Sequence, residues 1–139
     1  MNKTIVAGAG IAVLSAVGYF AFAQQEPDQP EMGDAIVEIV LPDALSPRAE
    51  LGKLSFDRVC AACHGDNAVG KLGVAPPLVH IIYEPNHHGD ESFQRAVAMG
   101  VPAHHWRFGN MPAIPDMDRG EVALITEYVR ELQRANGIE

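Results

Sequence analysis

Basic residues are scarce in this chain: ten Lys and Arg stand against 18 Asp and Glu, giving a formal net charge of −8 over 139 residues. The ten are scattered singly along the sequence. That excludes a nucleic-acid partner, because neutralising phosphates needs a concentrated positive face. Cysteine is scarcer still, with Cys60 and Cys63 the only two. Two thiols so close in sequence cannot build the disulfide framework of a small secreted domain, so their role is local. Internal repeats are lacking, and no segment keeps the two-residue alternation of a confident strand. One stretch has no charge at all: residues 5–23 carry none, and every Asp and Glu lies beyond position 25.

Lys3, the uncharged run and Ala21-Phe22-Ala23 before Gln24 form the charged start, apolar middle and small-residue end of a secretory signal. The run also approaches the roughly 20 residues that a membrane span requires. Residues 1–23 therefore read as a signal peptide or as an uncleaved N-terminal membrane anchor. Gly8, Gly10, Gly18 and many alanines leave the run weakly apolar for its length, which favours cleavage near Ala23. A buried core helix is the poorer reading, since glycine weakens helices. The chain is expected in the periplasm, either free after cleavage or tethered to the inner membrane by residues 5–23.

Residues 24–35 are polar, acidic and proline-bearing, as a flexible linker is. Ile36–Leu41 is a short apolar run that could be a strand or a cover laid on the core. The expected division is thus an export segment over 1–23, a linker and extension over 24–45, and a folded domain over 46–139. Ser46-Pro47 supplies an N-cap and a first-position proline for a helix over 47–61. Gly89 or Asp90 caps a shorter one that Gly100 and Pro102 end. Asp118 and Glu121 match a capping box, and Val122, Ile125, Tyr128, Val129 and Leu132 form a helical stripe, predicting a last helix over 119–135. The fold class is all-α, three main helices with long Gly- and Pro-rich loops. Loops this long are uncommon in a small domain unless they enclose something.

Cys60-Ala61-Ala62-Cys63-His64 says what they enclose. Two thiols at this spacing can each add to a vinyl group of one haem, and the following histidine is then held beneath the iron. A redox dithiol expects a strand before the motif and a helix after it, whereas here the pair closes a helix. Zinc would want a second close-spaced pair, and His80, His87 or His88 fit that need poorly. An inert thiol pair would leave His64 and the export signal as coincidences.

From Glu50 to Leu132 the chain resembles the class I c-type cytochromes of bacterial periplasms. Leu51-Gly52-Lys53-Leu54-Ser55-Phe56 is similar to that family's first helix, whose glycine lets an aromatic of the last helix cross closely; Tyr128 would be that aromatic. Val74-Ala75-Pro76-Pro77-Leu78 is similar to the family's proline-leucine loop. The resemblance implies that the Pro76 carbonyl accepts the Nδ1 hydrogen of His64, orienting the ring, and that Leu78 packs on the porphyrin. Gly109-Asn110-Met111-Pro112 resembles its methionine loop. Met111 would be the sixth ligand, a soft donor that raises the potential, with Pro112 keeping its backbone extended. Met117 is the runner-up ligand in the same loop, and Met99 and Met117 are otherwise expected as flexible core fillers.

His87-His88 and His104-His105 depart from the family pattern. Adjacent histidines in loops are ordinarily solvated, although imidazole suits copper or zinc if the two pairs converge. Trp106, Arg107 and Arg95 are candidates to offset the two haem propionates, or else ordinary partly exposed residues. The reading is a non-enzymatic monohaem electron carrier with one haem c on Cys60 and Cys63 and iron ligated by His64 and Met111. Its acidic surface implies donor and acceptor proteins that dock through basic residues. The competing readings are a haem enzyme subunit or sensor with a displaceable sixth ligand, and a copper-handling protein that uses its paired histidines.

Overall fold

The computed structural model describes residues 29–139, so the expected export segment over 1–23 lies outside the described residues, as does the start of the expected linker. Helix α1 spans Pro47–Val59, with the Ser46 side chain accepting from the Ala49 amide and Pro47 in the first turn. A short helix α2, Ala61–His64, follows after a single αR residue at Cys60. The expected helix over 47–61 is therefore interrupted at Cys60, although its backbone bonding continues, with the His64 amide donating to the Cys60 carbonyl. Helix α3 is Asp90–Met99 with Gly89 at its N-cap. Helix α4 is Arg119–Ala135, where the Asp118 carboxylate accepts from the Gly120 and Glu121 amides. Glu121 does not complete a reciprocal capping box; its carboxylate pairs with Arg58 of α1 instead. Among the described residues there is no strand, only the isolated bridges Lys71 to Ala75 and Val101 to Met111.

Helices α1 and α4 cross at the centre of the core. A Cβ placed on Gly52 would stand 1.9 Å from the Leu124 carbonyl oxygen, so the backbones touch where a side chain would otherwise lie. The nearest atoms are main chain of Leu124 and Ile125, not the aromatic ring expected there. Tyr128, one turn further on, packs edge-on against Phe56 with ring centroids 5.5 Å apart. Such a pair adds about 1 kcal/mol beyond the area it buries. Ala49, Phe56, Ala61, Ala68, Val79, Ile125, Val129 and Leu132 complete the cluster.

Ile36–Leu41 is a cover, not a strand. The Ile36 and Val37 amides both donate to the Val69 carbonyl, Ile39 packs against the core, and the Asn136 side chain bonds both the amide and the carbonyl of Val40. The described end of the expected linker is also tied down, through Gly33 to Leu72 and Leu72 to Asp34 backbone bonds. Met99, expected as a core filler, is 69% exposed at the end of α3 because its residue faces away from α4. Met117 does pack on the core.

Two outcomes follow from this packing. Gly52→Ala forces the two helices apart and is expected to cost about 3 kcal/mol, read as a lowered urea midpoint with unchanged slope. Burial, with the Asp57 and Asp66 carboxylates, pushes the Tyr128 phenol up to about 12, while its hydroxyl donates to Asn67 Oδ1 at 3.0 Å. The unfolded chain loses that proton near pH 10 and the native chain does not, so stability is complete below pH 10 and falls as pH rises toward 12. Alkaline titration of stability should show this decline in the parent protein and a flatter profile in Tyr128→Phe.

Candidate haem-binding site

The Cys60-to-His64 motif sits where α1 gives way to α2. Gly65 ends α2 at φ +75°, a conformation that favours glycine, and a Cβ there would meet the Gly70 carbonyl. The chain then turns back through Asn67 and Ala68, both left-handed. The Ala68 carbonyl accepts the Leu78 and Val79 amides, and this folds the 65–79 loop over the motif.

His64 Nδ1 lies 2.9 Å from the Pro76 carbonyl oxygen, the partner expected for it. A carbonyl can only accept, so Nδ1 carries the hydrogen and Nε2 keeps its lone pair. Burial lowers the affinity of His64 for a second proton, outweighing the opposite pull of the Pro76 bond. Burial, then Cys63 and Glu121, push the Cys60 thiol up to about 11. Redox-active dithiols work through a lowered thiol pKa, so this environment is the reverse of a thioredoxin-like one.

The remaining candidates fall into two groups. Leu78 packs against the core cluster near the motif. Met111 is half-buried, and its amide and carbonyl both pair with Val101 just past α3, at 3.0 and 2.9 Å. Trp106 sits 5.3 Å, centroid to centroid, from His80 and stacks on Phe108. Its indole Nε1 is buried and meets no acceptor at hydrogen-bonding geometry, although it lies near enough to the Tyr83 phenol to offset part of the upward push that burial gives that group. Arg107 is exposed, and Arg95 is also exposed and bonds Ser92. The two histidine pairs, expected as solvated loop residues, converge on one another.

Arg130 and Gln133 are the site residues that sequence reasoning overlooked. Arg130 is nearly buried and reaches Asp90 Oδ1, the Tyr83 carbonyl, Gln133 Oε1 and the His88 carbonyl. Gln133 is fully buried and donates to the carbonyls of Leu78 and Tyr83. Together they hold the 78–90 loop to α4. Their signal was polar residues beside the apolar stripe, at positions a purely solvated helix face would not occupy.

The cytochrome c profile matches residues 49–133, more than half of the chain. The chain belongs to the cytochrome c family. A cytochrome c of this kind carries haem c and transfers electrons, and its cysteines stand at 60 and 63. It is 58% identical over 36 residues to a Cbb3-type cytochrome c oxidase subunit CcoP from Azospirillum brasilense, a match covering 22% of this chain. The match spans only 12% of that curated relative's length. No solved structure matches significantly. Among the described residues, no helix of this cytochrome is long and apolar enough to cross a membrane.

The residues present fit the group that the family implies. The thiols lie beside a neutral imidazole with a free Nε2, and a buried indole N–H lacks an acceptor that an anionic propionate would supply.

Arg130→Ala strips the His88 carbonyl of its partner and weakens the hold on Tyr83. The expected cost is about 3 kcal/mol, seen as a drop in the thermal midpoint. Arg130→Lys should recover less than half of it, because one ammonium cannot replace the guanidinium fork.

Proposed function

We propose that this cytochrome is a periplasmic monohaem electron carrier, with haem attached at Cys60 and Cys63 and iron held by His64 and Met111. The observation that carries this reading is the His64 to Pro76 bond of 2.9 Å, which fixes the ring and leaves Nε2 as the one nitrogen able to ligate. When bound, haem c supplies a one-electron ferric-ferrous couple. The chain's own residues set its surroundings. The Val101 pairing fixes the Met111 backbone and Pro112 keeps it extended, so the thioether is the part left free to ligate. Trp106 would donate to a propionate, Arg107 would add a positive charge for the propionates, and Leu78 would cover the ring. With both His64 and Met111 ligating, no position on the iron would be left for substrate, which suits a carrier rather than an enzyme.

Residues 1–23 direct export and residues 46–139 form the electron-transfer domain. The acidic surface favours partners that dock through basic residues, faster at low salt. The oxidase-subunit name of the relative supports a respiratory donor or acceptor.

Expression with haem-attachment machinery tests the assignment. The parent protein should show a sulfur-to-iron charge-transfer band and no ready carbon monoxide binding when reduced. Met111→Ala should keep the haem, lose the band and lower the potential. A surviving band would move the ligand to Met117 or a histidine, and ready carbon monoxide binding by the reduced parent would overturn the closed carrier. His64→Ala, or loss of both cysteines, should abolish stable haem retention.

A further inference from the structure

Four of the six histidines of the chain are His87, His88, His104 and His105, and the fold brings them together from two loops. One loop leads into α3 and the other leaves it. His87 Nε2 and His105 Nε2 are 3.4 Å apart across 18 residues of sequence. One ligating nitrogen each from His87, His88 and His105 fall within 4.8 Å of one another. His104 stacks on His88 at 6.0 Å and lies 4.3 Å from His105, centroid to centroid. The four imidazoles thus crowd into one patch, with ring nitrogens from both loops facing one another.

We propose that His87, His88 and His105 form a binding site for a Zn(II) ion, separate from the haem motif, with His104 beside the fourth coordination position. Imidazole is a preferred zinc donor, and three histidines with one further position make a familiar zinc shell. The spacing selects the geometry. Zinc-nitrogen bonds of about 2.0–2.1 Å at tetrahedral angles hold two nitrogens about 3.4 Å apart, as His87 and His105 already are. A square-planar Cu(II) shell would want neighbouring nitrogens about 2.8 Å apart.

The supporting contacts are those of a ligand set. His88 Nδ1 lies 2.6 Å from the Ile82 carbonyl, so it donates there and presents Nε2 outward. His104 Nδ1 likewise meets the Pro102 carbonyl at 2.9 Å, leaving its Nε2 free. A backbone acceptor on the far nitrogen is how metal-bound histidines are commonly oriented. Arg130 anchors the His88 carbonyl at 2.5 Å, so this half-buried ring is the fixed point. His87 and His105 are exposed, and small rotations of their rings close the shell around it.

The test is Zn(II) titration of the haem-loaded full chain, purified without a polyhistidine tag, followed by calorimetry and zinc-edge X-ray absorption, which the iron does not obscure. One zinc per chain with a shell of three or more nitrogens near 2.0 Å is expected. His87→Ala or His105→Ala should each weaken binding at least tenfold, and the double variant should lose the site while its haem spectrum and helicity stay unchanged. His104→Ala should weaken binding less than either. Equal zinc affinity in the double variant, or an all-oxygen octahedral shell, would overturn the proposal. So would loss of binding in His104→Ala with retention in His87→Ala.

Discussion

Main-chain contact between α1 and α4 at Gly52 is the constraint from which the rest of the domain is built. Where most helix pairs are kept apart by side chains, here the Leu124 carbonyl occupies the space of a missing Cβ. That closeness presses Phe56 onto Tyr128 and sets the end of α1, and with it Cys60 to His64, at a fixed place along α4. The hydroxyl of Tyr128 then ties α4 to Asn67, the first non-glycine residue of positive φ after the motif. One helix crossing thus positions the Cys-x-x-Cys-His motif and the loop that turns back over it.

The second requirement is to hold long irregular loops in one shape. Exposed loops satisfy their backbone with water, but those that enclose a group need protein partners. Helix α4 supplies them as a row of side chains aimed at carbonyls. Gln133 serves Leu78 and Tyr83, Arg130 serves Tyr83 and His88, and Asn136 clasps Val40. The face that reads as an ordinary apolar stripe is therefore flanked by a polar scaffold for everything that is not helical. Arginine suits this role because its planar fork serves several acceptors at once.

The helices were legible in the sequence because their ends are written locally: Ser46-Pro47, Gly89 and Asp118 are caps, and Gly65, Gly100 and Gly137 mark stops or turns. The Cys-x-x-Cys-His motif was legible because its spacing has a chemical reason, and the Pro76 acceptor because the resemblance implied it. What escaped depended on contacts between distant residues. Nothing local in Ile36–Leu41 distinguishes a cover from a strand; the Val69 and Asn136 partners decide it. No pattern around Met99 reveals that its position points outward. Gly52 was correctly singled out as a close-crossing residue, but which atoms fill its gap is a matter of helix register that sequence spacing does not fix. The meeting of the histidine pairs likewise needed the two ends of α3 to be brought round by the loops.

The attachment of the leading segment has a mechanical consequence. Gly33 and Asp34 exchange backbone bonds with Leu72, Ile36 holds Val69, and the Gly70 amide in turn donates to the His64 carbonyl. Lys71, between them, reaches the Ala62 carbonyl at 3.0 Å. The chain therefore enters the domain against the loop that flanks His64, not at the far end of the bundle. Any tension arriving along residues before 29 is delivered first to the edge carrying the motif, and a leash at that point would dictate which side of the domain faces its surroundings.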